Sequence, residues 1–97
     1  MNRLTFDDLL RWKAEGRSFH LIDVREKDEH YHFNIGGELM PLSEFNQRAG
    51  RIDLSRPIVF YCEHGIRSQI VMQRLQMRFP EAELYDLEGG VAGLERE

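Results

Sequence analysis

Ile58-Val59-Phe60-Tyr61-Cys62-Glu63-His64-Gly65-Ile66-Arg67-Ser68 is the stretch whose reading decides the fold. Its first four residues have the apolar, β-branched and aromatic character of a buried strand. They run into a short turn that opens with the only cysteine in the chain and closes with an arginine. Beyond the turn, over Gln69 to Phe79, Val71, Leu75 and Phe79 recur at every fourth position, which predicts an amphipathic helix that Pro80 brings to an end. Strand, tight turn and helix together build an anion pocket. The first amides of a helix have no partners within it, and the helix dipole favours negative charge just beyond that end. A cysteine in that position is set up to react as a thiolate, the nucleophilic form. Gly65 is expected to supply the backbone conformation, disfavoured by other residues, that so tight a turn requires.

The length of 97 residues fits one domain around one modest core. Hydrophobic residues make up 41% and charged residues of both signs 31%, the balance of a soluble globular chain rather than a disordered one. A formal net charge of -4 and the lack of basic runs argue against nucleic acid or an anionic membrane as partner. No apolar stretch approaches the roughly 18 residues of a membrane span, and the first residues do not read as a secretory leader, so a cytoplasmic location is expected. A lone cysteine excludes an internal disulfide and fits a reducing compartment.

Upstream of the turn, Thr5 and Asp8 have the spacing of a capping box. Phe6, Leu9, Leu10 and Ala14 then share a helical face up to Gly16, which predicts a helix over Phe6 to Glu15. Trp12 reads as a partly buried surface aromatic. His20 to Val24 is a short apolar run without strict alternation, as in a strand covered on both faces. Arg25 to His32 is charged and aromatic, and reads as a short helix or an irregular turn. Glu38 to Met40 predicts a brief strand that Pro41 ends, and Ser43 is expected to cap a helix from Glu44 to about Ala49. Downstream, Glu83 to Leu87 predicts another strand, Gly89-Gly90 a turn, and Val91 to Glu97 a terminal helical segment. Short strands alternating with helices, without hairpin signals between them, point to an α/β domain on a parallel sheet. Ligands of such sheets gather beyond the carboxyl ends of the strands, where Cys62 falls.

At this point the residues resemble a single-domain rhodanese, a member of a sulfurtransferase family. The likeness lies in Leu21-Ile22-Asp23-Val24-Arg25-Glu26, the region from His32 to Met40-Pro41-Leu42, Val59-Phe60-Tyr61-Cys62 with Gly65 and Arg67-Ser68, and Leu87-Glu88-Gly89-Gly90-Val91, in the family's order. It implies a parallel sheet of about five strands flanked by helices, with Cys62 as nucleophile and carrier of a persulfide. Glu63, His64, Gly65, Ile66, Arg67 and Ser68 would form the loop around that sulfur, with Arg67 helping to bind an anionic donor. Asp23 and Arg25 would be scaffold beneath it. The implied reaction is a double displacement. Sulfane sulfur moves from thiosulfate or a persulfide to Cys62, then to cyanide, a thiol or a protein cysteine, with no cofactor. Two departures stand out: His32-Phe33-Asn34-Ile35-Gly36-Gly37 replaces the family's compact His-x-x-Gly-Ala turn, and Leu94 stands where many members carry tryptophan.

Each of these residues also has a plainer reading. A single cysteine is more often a small buried hydrophobe than a nucleophile. Its place after a strand and before a glycine turn and a helix favours the nucleophile. Glu63 beside the sulfur opposes a second negative charge, so the loop amides and Arg67 must outweigh it. His64 is either a proton donor to a leaving group or a solvated loop residue, and His32 is expected to pack at the turn before Gly36. His30-x-His32 and Cys62-x-His64 fall short of a four-ligand metal site. Arg67 lies where the helix dipole disfavours a cation, which suggests that it leans over the pocket toward an anion. Two alternatives remain: a non-catalytic binding or regulatory module on the same scaffold, or a cysteine-dependent phosphatase. Phosphatases of similar fold place five residues between cysteine and arginine, against four here.

Overall fold

A computed structural model describes residues 2–94. The chain runs β1 (Arg3–Leu4), α1 (Phe6–Ala14), β2 (His20–Asp23), α2 (Lys27–His32), β3 (Glu38–Leu39), α3 (Phe45–Arg48), β4 (Ile58–Tyr61), α4 (Ile66–Arg78) and β5 (Leu84–Leu87). The strands form one parallel sheet in the order β1-β5-β4-β2-β3. The connection from β2 leads outward to β3, whereas that from β4 leads the other way to β5. The chain therefore leaves the neighbouring strands β2 and β4 in opposite directions at their carboxyl ends, the place where a doubly wound sheet offers a crevice to ligands. Asp23 ends one strand and Tyr61 the other, which brings the Cys62 turn to the crevice.

β4 is central and buried throughout, and its side chains divide between two cores. Val59 and Tyr61 pack with Leu4, Leu9, Trp12, Leu21, Leu87 and Val91 beneath α1. Ile58, Phe60 and Cys62 point the other way, into a cluster with Phe45, Val71, Met72 and Leu75 from α3 and α4. This division follows the two-residue period of a strand. It makes Cys62 the last inward position of its row.

The capping box holds as expected: Thr5 Oγ1 accepts from the Asp8 amide at 3.0 Å, and the Asp8 carboxylate accepts from the Thr5 amide at 3.1 Å. The buried face of α1 differs from the expected one, because it is Leu9 and Trp12 that turn inward, while Leu10 is 47% exposed and Ala14 is exposed. Trp12 is thus a core residue, meeting Phe19 and Tyr85 edge to face under the Arg17 guanidinium. Ser43 does not cap α3. It lies within a 3-10 turn, Leu42–Glu44, and its hydroxyl donates to Glu26 at 3.0 Å. β1 was not expected from the residues, since two positions carry no periodicity. Residues 91–94 form turns rather than a helix, and the rest of that expected segment lies outside the described residues.

Two features beneath the Cys62 turn fix its place. On one side, Val91 N–H donates to the Cys62 carbonyl at 3.0 Å and Ala92 N–H to that of Glu63 at 2.9 Å. Between these bonds lies Gly90, at φ +66°, where a Cβ would come within 2.4 Å of both carbonyl oxygens. On the other side, Arg25 is 1% exposed and forks onto Asp23, with Nε 3.0 Å from Oδ1 and Nη2 2.9 Å from Oδ2. The same guanidinium reaches Glu63 Oε1 at 3.1 Å and the Phe33 carbonyl.

Gly90→Ala should therefore lose about 2 kcal/mol or more of stability. Gly93→Ala, with open space around its Cβ, should stay within about 0.5 kcal/mol of the parent on chemical denaturation. Arg25→Ala strands the buried Asp23 charge and should cost about 3–5 kcal/mol in the same measurement.

Candidate active site

The turn after β4 is held by its glycine. Gly65 has φ +92° and caps α4, so the helix starts at Ile66, earlier than the apolar period alone showed. Arg67 and Ser68 consequently lie in its first turn. This left-handed residue, costly for any residue with a Cβ, folds the turn back over the cysteine. The Gly65 amide donates to Cys62 Sγ at 3.0 Å and the Ser68 amide at 3.4 Å. The sulfur thus receives two amides at a helix start. Cys62 is only 1% exposed and belongs to the buried cluster that includes Phe45, Val71 and Met72.

Ser68 contributes twice. Its Oγ lies 3.4 Å from the sulfur and also donates to Asp86 Oδ1 on β5. Asp86 is fully buried, and its second oxygen, Oδ2, makes no hydrogen bond among the described residues. Burial raises its pKa, only partly offset by Ser68 and Gln69. A carboxyl that retains a proton can pass a hydrogen bond through Ser68 to a thiolate; an ionised one turns Ser68 into an acceptor for the thiol. The row Cys62, Ser68, Asp86 can thus serve either protonation state of the sulfur. Asp86 was missed from sequence, though a carboxylate interrupting the apolar run Leu84-Tyr85-Asp86-Leu87 is a readable signal.

Around the mouth, every expected charge has a partner. Glu63 does not face the sulfur unopposed, since Arg25 holds it at 3.1 Å. Asp23 and Arg25 are joined beneath the turn, and His30 Nδ1 lies 2.9 Å from Asp23 Oδ2. His30, not His32, is the histidine turned inward here; His32 is exposed at the end of α2. Arg67 does not lean free over the pocket. Its Nη1 and Nη2 pair with the two oxygens of Glu29 at 2.6 and 2.8 Å, a fork on a fork. Arg67 thereby holds the Glu29 carboxyl down to about 2. Glu29 was also missed, although Glu26-x-x-Glu29 after a strand marks a helix start, and Glu29 does bond the Glu26 amide at 3.1 Å. His64 and Ile66 are exposed on the rim. Three cavities, of about 180, 320 and 300 Å³, are lined by residues away from the Cys62 turn.

Comparison with known proteins agrees with this architecture. Residues 5–97 match the model of the rhodanese-like domain. The chain is 36% identical over 80 residues to the uncharacterized protein YqhL of Bacillus subtilis, an alignment covering 81% of this chain and 63% of that protein. It is 33% identical over 76 residues to the thiosulfate sulfurtransferase GlpE of Coxiella burnetii, covering 76% of this chain and 69% of the relative. In structure, a rhodanese-related protein from Thermoplasma volcanium superposes with a TM-score of 0.85 at 22% identity, over 99% of this chain and 92% of that one. Fold, order of motifs and sequence similarity agree that this chain belongs to the rhodanese-like domain family.

Proposed function

We propose that this domain is a sulfurtransferase that carries sulfane sulfur as a persulfide on Cys62. The observation that supports this most directly is the pair of amides, from Gly65 and Ser68, aimed at Cys62 Sγ at the start of α4. Donors fixed in advance on a sulfur anion need no rearrangement when charge develops there, which is where an enzyme gains most. The similarity to GlpE, named a thiosulfate sulfurtransferase, points the same way.

In the first half-reaction, the Cys62 thiolate attacks the outer sulfur of a donor such as thiosulfate or a persulfide. A new S–S bond forms, the donor's own sulfur–sulfur bond breaks, and sulfite or a thiolate leaves with the electron pair. The terminal sulfur then rests as a perthiolate beside the loop amides and Ser68. In the second half-reaction an acceptor, whether cyanide, a thiol or a protein cysteine, attacks that terminal sulfur and frees the Cys62 thiolate. Sulfur is passed on without net oxidation, so the cycle calls for no cofactor. A working thiolate suits a reducing compartment, and we place the protein in the cytoplasm on that ground. No helix among the described residues is long and apolar enough to cross a membrane.

A non-catalytic module would not need amides on the sulfur, nor a hydroxyl backed by a buried carboxyl. Phosphatase chemistry is disfavoured by the four-residue spacing between Cys62 and Arg67 and by the engagement of Arg67 with Glu29.

Incubation with a sulfane donor should add one sulfur atom to Cys62, read by intact-protein mass spectrometry. Cys62→Ser should show no adduct and no turnover while keeping its thermal unfolding transition. Retained transfer in that variant, or hydrolysis of an aryl phosphate by the parent, would overturn the assignment. Ser68→Ala removes a neutral donor from a charged acceptor and should slow single-turnover persulfide formation by about tenfold or more.

A further inference from the structure

Two arginines flank the Cys62 turn, Arg67 in the first turn of α4 and Arg25 buried beneath it, and neither has its charge free. Arg67 is clasped by Glu29 through both terminal nitrogens, with the two side chains about one-third exposed. Arg25 is buried and divided between Asp23 and Glu63. Three carboxylates thus meet two guanidinium groups. Glu26, exposed at the start of α2, adds a further negative charge that Arg67 feels. Cys62 contributes one more when ionised. His30 is engaged with Asp23, and the exposed His64 is the remaining titratable group of the turn.

Such a rim discriminates by charge. Thiosulfate carries two negative charges that persist at neutral pH, and it would enter a site whose cations are already matched. A persulfide of a thiol, R–S–SH, carries at most one charge at its sulfur and enters without any at all in its protonated form. Like charges brought together at a poorly solvated site are costly, and specificity is as often set by such repulsion as by attraction.

Building on the persulfide mechanism proposed above, we propose that Glu29 sets the choice of donor. By holding Arg67, it directs Cys62 to take sulfur from a thiol persulfide rather than from the thiosulfate dianion. The step balances: the Cys62 thiolate bonds to the outer sulfur of R–S–SH, the sulfur–sulfur bond of the donor breaks, and the thiolate R–S⁻ takes up the persulfide proton to leave as R–SH. Cys62 is left as a perthiolate. Glu29 does not touch the reacting sulfur, and acts through Arg67.

The test compares cysteine persulfide with thiosulfate in single-turnover persulfidation of Cys62, for the parent, Glu29→Gln and Glu29→Gln/Arg67→Gln. Glutamine keeps an oxygen for the Glu26 amide, so α2 retains its start, and a thermal melt verifies folding. The parent should prefer the persulfide. Glu29→Gln should shift the ratio of efficiencies toward thiosulfate by about tenfold or more, the scale of one freed charged hydrogen-bonding group. Removing Arg67 as well should reverse that shift. A parent that prefers thiosulfate, or a donor ratio that Glu29→Gln leaves in place in a folded protein, overturns the role of Glu29 while leaving the persulfide mechanism standing. If Cys62 gains sulfur from neither donor in any of the three proteins, the mechanism fails and the donor choice fails with it.

Discussion

Arg25 is the group on which the site depends. Its guanidinium, buried just past the carboxyl ends of β2 and β4, joins the end of one strand to the turn that follows the other, through Asp23 on one side and Glu63 on the other. It also reaches the Phe33 carbonyl past the end of α2. A buried charge is tolerable only where every lobe is met, and here the planar fork meets acceptors in three directions. A lysine could not span them. The reactive turn is thereby fixed to the sheet from below, while Gly90 and the Val91 and Ala92 amides fix it from behind.

With the turn so held, the chemistry becomes a matter of which partners each charge has. Cys62 receives the two amides and Ser68. Glu63, alarming in sequence because it adjoins the sulfur, is answered by Arg25. Arg67, promising in sequence because it closes the turn, is answered by Glu29. The field at the mouth therefore differs from any sum over the turn alone. A motif specifies where groups stand along the chain. In the proposal above, donor preference depends on a charge that arrives from α2, that of Glu29 on Arg67.

The cores show the same division. The four-residue period of Val71 and Leu75 identified the buried side of α4, because a helix long enough to repeat its pattern states its inward face. α1 was harder, since Leu9, Leu10 and Trp12 allow more than one face, and contact with Phe19 and Tyr85 from distant parts of the chain decided for Trp12. β1, with only two residues, has no local pattern and is a strand because β5 offers it an edge.

Local order in the residues was enough to determine the strand Ile58–Tyr61, the turn with its left-handed glycine, the helix after it, the Thr5–Asp8 cap and the parallel α/β class. These are set by backbone sterics and by periodicities of two or nearly four residues, which neighbours in sequence carry themselves. Tertiary structure alone decided that Asp86 stands behind Ser68, that His30 rather than His32 turns inward, and that Glu29 takes Arg67 from the pocket. Those pairings join positions 7 to 38 residues apart. A side chain's partner across such a distance is chosen by how strands and helices pack, and no local pattern records it.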